Sequence, residues 1–301
     1  MDKLNFSNLK ENIKHGDFIL PLSVYKGNID ESFPYIPIHW HEEIEVIFIE
    51  SGNCNYKIDL SNFIVNEGDI LIIGSQKLHS LSRILETNLK WISFVFNMDM
   101  IKSSNSDGAL LKYISPILNE NHKLPIKISK NDIGYNRLLD AIQNIIKSYS
   151  EKDIAYELEL KSLLFQFFSL LYKYNFITTN ENKNMITVKT IDKLKLVLNY
   201  IHTHYFENIS ISKLANICNY SEYHFMRFFK KHMGLTCIQY INNYRLEKAA
   251  LLLISTNNPI MDISLETGFD SLSYFNKLFK KKYNITPKEF RLKNKQYQIN
   301  L

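Results

Sequence analysis

YHFMRFFKKHMGLTCIQYI, residues 223–241, and SYFNKLFKKKYNITPKEFR, residues 273–291, are two versions of one pattern set fifty positions apart. Phe225 matches Phe275, Phe229 matches Phe279, and Lys230-Lys231 match Lys280-Lys281. Thr236 matches Thr286, and each threonine opens a capping box, Thr236-x-x-Gln239 and Thr286-Pro287-x-Glu289. Upstream the repeat continues at an offset of 49, with ISKLANICNYS (211–221) over IMDISLETGFD (260–270). A fixed internal period of this size marks a duplicated structural unit.

Each unit reads as a short helix, a tight turn and a second helix, with Asn258-Pro259 opening the second unit and Gly268 supplying its turn. On the second helix of unit one, Phe225, Phe228 and Phe229 form an apolar stripe, while Tyr223, Met226, Arg227 and Lys230 share another face. Unit two repeats this with Phe275, Leu278 and Phe279 inward, and Ser273, Asn276, Lys277 and Lys280 outward. A helix apolar on one side and bearing amide, hydroxyl and cationic groups on the other suits a DNA major groove. Arg227 matches a guanine edge and Asn276 an adenine edge; Lys230 and Lys280 suit phosphates. A merely solvated polar face is the plain alternative for one such helix, and the repetition argues against it.

Charge points the same way. Residues 1–185 carry 19 Lys+Arg against 23 Asp+Glu, a net of −4, whereas residues 186–301 carry 17 against 8, a net of +9. A basic carboxyl-terminal third on an acidic body is the electrostatic footprint of a nucleic-acid-binding module with a different function upstream.

The stretch NNYRLEKAALLLISTNNPIMDISLETGFDSLSYFNKLFKKKYNITPKEFR closely resembles the signature of AraC/XylS-family transcriptional regulators, over residues 190–292. The resemblance implies two helix-turn-helix subdomains joined by a long helix at about 237–254, with recognition helices at 222–232 and 272–282. Base-contacting positions carry over onto Tyr223, Met226 and Arg227, and onto Ser273, Asn276 and Lys277. Met226 departs from the polar residue frequent there, which favours a thymine methyl over a hydrogen bond. Asn284 replaces a frequent glycine but tolerates the left-handed conformation.

The amino-terminal part has a different texture. IEVIFIE, CNYKIDL, DILIIG and LKWISFVF are short β-branched and aromatic runs broken by Gly, Asn and Ser, as in a sandwich or barrel of short strands. HWHEEIE (39–45) stands out chemically. On an uninterrupted strand His39, His41 and Glu45 share a face with Ile47 and Ile49, opposite Trp40, Ile44, Val46 and Phe48. The pattern resembles the first cupin motif, with His39, His41, Glu45 and Gly52 in place. Of the second motif Gly68 and His79 fit, but Gly74 and Arg83 replace the expected proline and asparagine. The resemblance implies a double-stranded β-helix barrel acting as a sensor. Three roles stay open for His39, His41, Glu45 and His79: lining an effector pocket, holding a metal ion, or structural hydrogen bonding. Effector binding is the expectation; no metal or other cofactor is assigned. Glu42 and Glu43 read as rim charges. His15, His122, His202, His204, His224 and His232 show no partners at ligand spacing.

In YELELKSLLFQFFSLLYKY, Leu160, Leu163, Leu164, Phe167, Phe168, Leu171 and Tyr174 fall at helical spacing. With LLDAIQNIIKSY this reads as a helical hairpin whose stripe serves either a homodimer or the chain's own barrel. The expected fold class is therefore α+β multidomain, with a cupin-like β-barrel plus helical hairpin before an all-α domain with two helix-turn-helix motifs. The boundaries are 1–130 for the sensor, 131–177 for the hairpin, 178–187 for a linker and 188–301 for DNA binding. Cys54, Cys218 and Cys237 suggest neither disulfides nor a zinc site. No apolar leader, membrane-length apolar run, phosphate loop or nucleophile motif is visible, so a cytoplasmic non-enzyme is expected. Promoter DNA, a small-molecule effector such as a sugar, RNA polymerase and a second copy of the chain are the expected partners.

Overall fold

The computed structural model describes residues 9–11, 13–17, 20–29, 35–84, 88–102, 107–179 and 185–292. Residues 1–9 aside, the chain divides into two compact units, Lys10–Val188 and Lys189–Leu301.

The first unit is a strand sandwich carrying helices. Its strands are β1 (Leu22–Ile29), β2 (Tyr35–His39), β3 (Ile44–Ser51), β4 (Cys54–Ile58), β5 (Ser61–Val65), β6 (Ile70–Ile73), β7 (His79–Arg83) and β8 (Leu89–Phe96). The helix α1 (Ser115–Leu118) and the short strands β9 (His122–Lys123) and β10 (Lys127–Ile128) follow. The helices α2 (Tyr135–Glu151) and α3 (Tyr156–Lys173) then precede β11 (Thr178–Thr179). One sheet has the order β1-β8-β3-β6-β10 and the other β2-β7-β4-β5, and every pairing in them is antiparallel.

Strand alternation separates two cores. Ile47 and Ile49 of β3 and Trp91 of β8 turn toward Tyr56, Ile58 and Leu81 of the second sheet. Ile44 and Val46, with Phe94 and Phe96, turn the other way and meet the helices. There the stripe on α3 is spent: Leu160, Leu164, Phe167, Phe168 and Leu171 are all buried in the core shared with the sheet. Phe94 meets Phe167 edge-on at 6.1 Å, and Phe96 meets Phe168 at 6.2 Å. Burying each such side chain contributes about 1.5–3 kcal/mol, which fixes the hairpin to its own barrel. Of the expected linker, β11 pairs with β9, residues 180–184 lie outside the described residues, and α4 (Met185–His204) opens directly after them.

The second unit is helical: most of α4, α5 (Ile211–Ile217), α6 (Glu222–Met233), α7 (Cys237–Ser255), α8 (Ile260–Glu266), α9 (Leu272–Tyr283) and helical residues 287–292. The expected recognition and linking helices match α6, α9 and α7 to within about one residue at each end, the usual uncertainty of helix boundaries. Thr236 and Gln239 form a reciprocal capping box. Thr286 and Glu289 repeat it, with the Thr286 N–H donating to Glu289 at 2.8 Å and the Glu289 N–H to Thr286 at 3.3 Å. Gly234 after α6 and Asn284 after α9 both close their helices in the left-handed conformation, with φ of 79° and 62°. Phe225 and Phe229 are fully buried in the first half; Phe275, Phe279 and Phe290 are buried in the second.

Candidate nucleic-acid interface and sensor site

Burial of the phenylalanine stripes decides which way the other faces turn. On α6, Tyr223, Met226, Arg227 and Lys230 are all exposed, Tyr223 by 66% and Met226 by 48%. On α9, Ser273, Asn276, Lys277 and Lys280 are exposed at the matching positions. Serine side chains cap both helices: Ser221 accepts from the His224 N–H, and Ser271 from the Tyr274 N–H. Both halves are tied to the long helix α7. Arg245 donates to the Tyr205 and Glu207 carbonyls at 2.7 Å each, and Lys282 pairs with Glu247 at 2.7 Å. The faces are thus presented by rigid helices. His202, which shows no partner at ligand spacing in the sequence, is buried, stacked on Tyr244 at 4.0 Å and bonded to Tyr240 at 2.7 Å.

The other candidate site lies inside the first unit. His39 ends β2, Glu45 lies in β3 and His79 begins β7. The chain turns between His39 and Glu45, so they do not share one continuous strand as the sequence reading assumed. They still converge, because β2 and β7 pair His39 with His79 while β3 crosses from the other sheet. His39, His41 and His79 are buried, and one ligand atom from each lies within 4.8 Å of the others. The His39 and His79 ring centres are 4.1 Å apart, and those of His41 and His79 are 5.0 Å apart.

Backbone carbonyls orient all three rings. Nδ1 of His39 meets the Pro37 carbonyl at 2.9 Å, Nδ1 of His41 the Glu43 carbonyl at 3.2 Å, and Nδ1 of His79 the Lys77 carbonyl at 2.8 Å. A carbonyl only accepts, so each Nδ1 carries the proton and each Nε2 is left toward the cluster. Glu45 Oε2 lies 3.7 Å from His41 Nε2 and 3.5 Å from His79 Nε2. Among the described residues, His79 Nε2 has no hydrogen-bond partner.

Two residues join that the sequence reading missed. Glu11 Oε2 is 3.9 Å from His39 Nε2 and 3.5 Å from His15 Nε2. His15 is buried, bonded through Nδ1 to the Tyr25 hydroxyl at 2.9 Å, and meets His41 edge-on at 5.4 Å. His15 therefore does have partners, and the expectation that it had none is corrected. No strand or helix periodicity covers residues 10–17, and the Glu11-x3-His15 spacing is their sole local trace. The segment is held by the Glu11 N–H donating to the Trp40 carbonyl at 2.9 Å, and by Lys10 pairing with Glu42. Glu42 is an exposed rim charge, as read from sequence.

Burial and neighbouring charges set the electrostatics of the cluster. Burial and the neighbouring His79 push the His39 pKa down to about 3, so its ring is neutral. Burial opposes ionisation of Glu45, yet His41 and His79 hold it well below the usual carboxylate range. Burial likewise opposes charge on Glu11, and His15 with the other imidazoles outweighs it. His41, despite burial, is raised by Glu45 and Glu11.

Residues 214–293 match the family described as a helix-turn-helix domain, and residues 25–168 match the AraC-like ligand binding domain. The chain belongs to the AraC family. Similar proteins include YdeC of Bacillus subtilis strain 168, an HTH-type transcriptional regulator, 28% identical over 95% of this chain and 97% of that protein. YbfI of the same organism, also an HTH-type regulator, is 26% identical over 79% of this chain and 80% of its own length. Among solved structures, the carboxyl-terminal domain of the response regulator yesN from Fusobacterium nucleatum is 34% identical. That match covers 33% of this chain and 98% of that one, with a TM-score of 0.32. This member of the AraC family is a DNA-binding transcriptional regulator with a ligand-binding domain, and YdeC and YbfI, relatives aligned over most of its length, are HTH-type regulators. Among the described residues no helix is long and apolar enough to cross a membrane.

Proposed function

We propose that this regulator recognises a two-part promoter site through α6 and α9 and that a small ligand in the barrel sets its affinity. The observation that carries the first half is the repeated exposed face, Tyr223, Met226, Arg227 and Lys230 on α6 and Ser273, Asn276, Lys277 and Lys280 on α9. Solvation alone gives no reason for two helices fifty residues apart to carry basic residues at the same two exposed positions, Arg227 and Lys230 on α6 and Lys277 and Lys280 on α9. His39, His41, Glu45 and His79 are the sensor residues in this reading. One ring nitrogen from each of His39, His41 and His79 lies within 4.8 Å of the others, so a single polar group of a ligand can meet all three.

The α3 stripe is covered by the barrel, so a homodimer would use the residues left outside it. Leu158, 71% exposed, and Phe165, 43% exposed, stand seven residues apart on one side of α3. Sedimentation equilibrium of the wild type and of a Leu158→Glu, Phe165→Glu variant tests this; a monomeric wild type at micromolar concentration, with and without DNA, rejects it. RNA polymerase is the partner a promoter-bound regulator would contact.

Sequencing genomic fragments captured by the purified protein tests the main reading. The expected result is one enriched motif with two half-sites about one helical turn, 10–10.5 bp, apart. Capture proportional to fragment length, with no motif, would reject sequence-specific recognition.

A further inference from the structure

We propose that Arg245 is a positioning residue for DNA binding: its guanidinium locks the orientation of α9 relative to α6 and thereby sets the half-site spacing that the regulator accepts. The proposal rests on the reading of α6 and α9 as the two readers and names what holds them in step.

The duplication reaches back into α4 and α7. Lys193, Leu194, Val197, Leu198 and Ile201 lie over Arg245, Leu246, Ala249, Ala250 and Leu253 at an offset of 52, and the apolar members are all buried. Each half is therefore three helices, α4-α5-α6 and α7-α8-α9. At the first matched position each half sets a cation over the aromatic residue of its own turn. Lys193 Nζ is 3.9 Å from the centre of the Tyr220 ring, and the Arg245 guanidinium is 5.9 Å from that of Phe269. A lysine serves that stacking in the first half. In the second half the side chain is a fork, and it also crosses to the first half, donating to the Tyr205 and Glu207 carbonyls just beyond α4. Two bonds at fixed angles from one planar group are what an ammonium cannot supply.

The place of Arg245 on α7 gives those bonds leverage. Before it, Tyr240 packs on Phe229 and bonds His202, and Tyr244 stacks on His202, all within the first half. After it, Leu246, Ala249, Ala250 and Leu253 belong to the core of the second half. A continuous helix bends gently, so α7 by itself lets the second half swing, and a bond lying off the helix axis resists that swing. Gly268 shows how closely the halves meet, since a Cβ there would lie 2.8 Å from the Tyr205 carbonyl oxygen and 2.9 Å from Arg245 Nε. Asn242 with Tyr274, and Lys282 with the Asn243 carbonyl, fix α9 to α7 without reaching α4, α5 or α6. Arg291 is an internal control. It donates to the Leu253 and Asn258 carbonyls at the end of α7, as Arg245 does at the end of α4, yet both its partners lie in the second half.

The test uses the full chain and fragments carrying the captured two-part motif. The half-sites stand at natural spacing, are moved apart or together by single base pairs, or one of them is scrambled. Wild-type affinity should fall steeply as the spacing changes. Arg245→Lys should lose about tenfold or more at the natural spacing, bind the shifted fragments nearly as well, and match the wild type where one half-site is scrambled. Arg291→Lys should keep the steep profile. Circular dichroism checks folding. Should Arg245→Lys fail to fold, Gly268→Ala, which presses a methyl onto the same bond from the second half, carries the same comparison. A second readout needs no DNA. Spin labels on Lys231→Cys and Lys281→Cys, both exposed while the three native thiols are buried, should give one narrow distance in the wild type and in Arg291→Lys. In Arg245→Lys that distance should broaden. A folded Arg245→Lys chain with a steep spacing profile and a narrow distance overturns the proposal. An equal loss on intact and half-scrambled fragments overturns it too, because Arg245 would then act on each reader alone. A wild type indifferent to spacing rejects the two-reader reading, and the label distances then decide the orientation lock by themselves.

Discussion

The guanidinium of Arg227 stands 5.6 Å from the centre of the Tyr223 ring, one helical turn away on the exposed face of α6. Stacking of this kind restricts a long side chain before it meets DNA and lowers the entropy lost on contact. Arg227→Ala, and Lys277→Ala on α9, should each cost about 1–3 kcal/mol on a cognate promoter fragment and relax base preference locally. Lys280→Ala should weaken binding evenly across sequences and reduce the salt slope by about one. Fluorescence anisotropy at several salt concentrations measures all three. Wild-type affinity in every variant would mean that these faces do not touch DNA.

Acid should loosen the second unit through His202. Burial beside Lys248 lowers its pKa to about 3, whereas the unfolded chain titrates near the ordinary 6.5. Between those values the unfolded state binds the extra proton, so this contribution is complete above pH 6.5 and is lost as pH falls toward 3. The slope from one such group is at most about 1.4 kcal/mol per pH unit. His202→Phe, which keeps the stacking on Tyr244, should flatten the pH dependence of helix melting followed by circular dichroism. An equally steep dependence in the variant would assign the acid sensitivity elsewhere.

The two turns of the duplicated unit look equivalent but should respond differently to substitution. Asn219 in the first and Gly268 in the second both have positive φ, 55° and 87°. A Cβ at Gly268 would lie 2.8 Å from the Tyr205 carbonyl oxygen and 2.9 Å from Arg245 Nε, the two atoms that bond each other. Asn219→Gly should therefore change stability by no more than about 1 kcal/mol, whereas Gly268→Asn should lose more than that. Urea titrations of the full chain compare them; equal losses would show that crowding at Gly268 is relieved.

Removing the Thr236 hydroxyl deletes the cap of α7, the helix that both halves share. Thr236→Ala should cost about 1 kcal/mol. Thr236→Ser, which keeps the oxygen, should recover most of it in the same urea titration.

Periodicity made the helices legible. The phenylalanines of α6 and α9 recur at three and four residues, the capping threonines announce the next helix, and duplication supplied an internal check. The barrel core was legible for a similar reason, since Ile47 and Ile49 alternate with Val46 and Phe48. The histidine site was only half readable. His39, His41 and Glu45 are close in sequence, and His79 was reached through a resemblance. Glu11 and His15 were invisible because they lie on an irregular segment and the contacts that bring them to His39 and His41 span more than twenty positions. The fate of the α3 stripe was equally unreadable, because an apolar face does not say whether a sheet or a second chain covers it.

If α6 and α9 are the two readers proposed above, their sharing of α7 has a kinetic consequence. Once one recognition helix has docked, the other is confined to a small volume around its own half-site, and its binding becomes intramolecular. At about 1.5 Å per residue the nineteen residues of α7 span close to 28 Å, comparable to the DNA helical repeat. Promoters with one poor half-site should thus still be held, by rebinding before both readers let go together. Stretching or shortening α7 by a few residues would take away this local concentration while leaving each reader's own contacts intact.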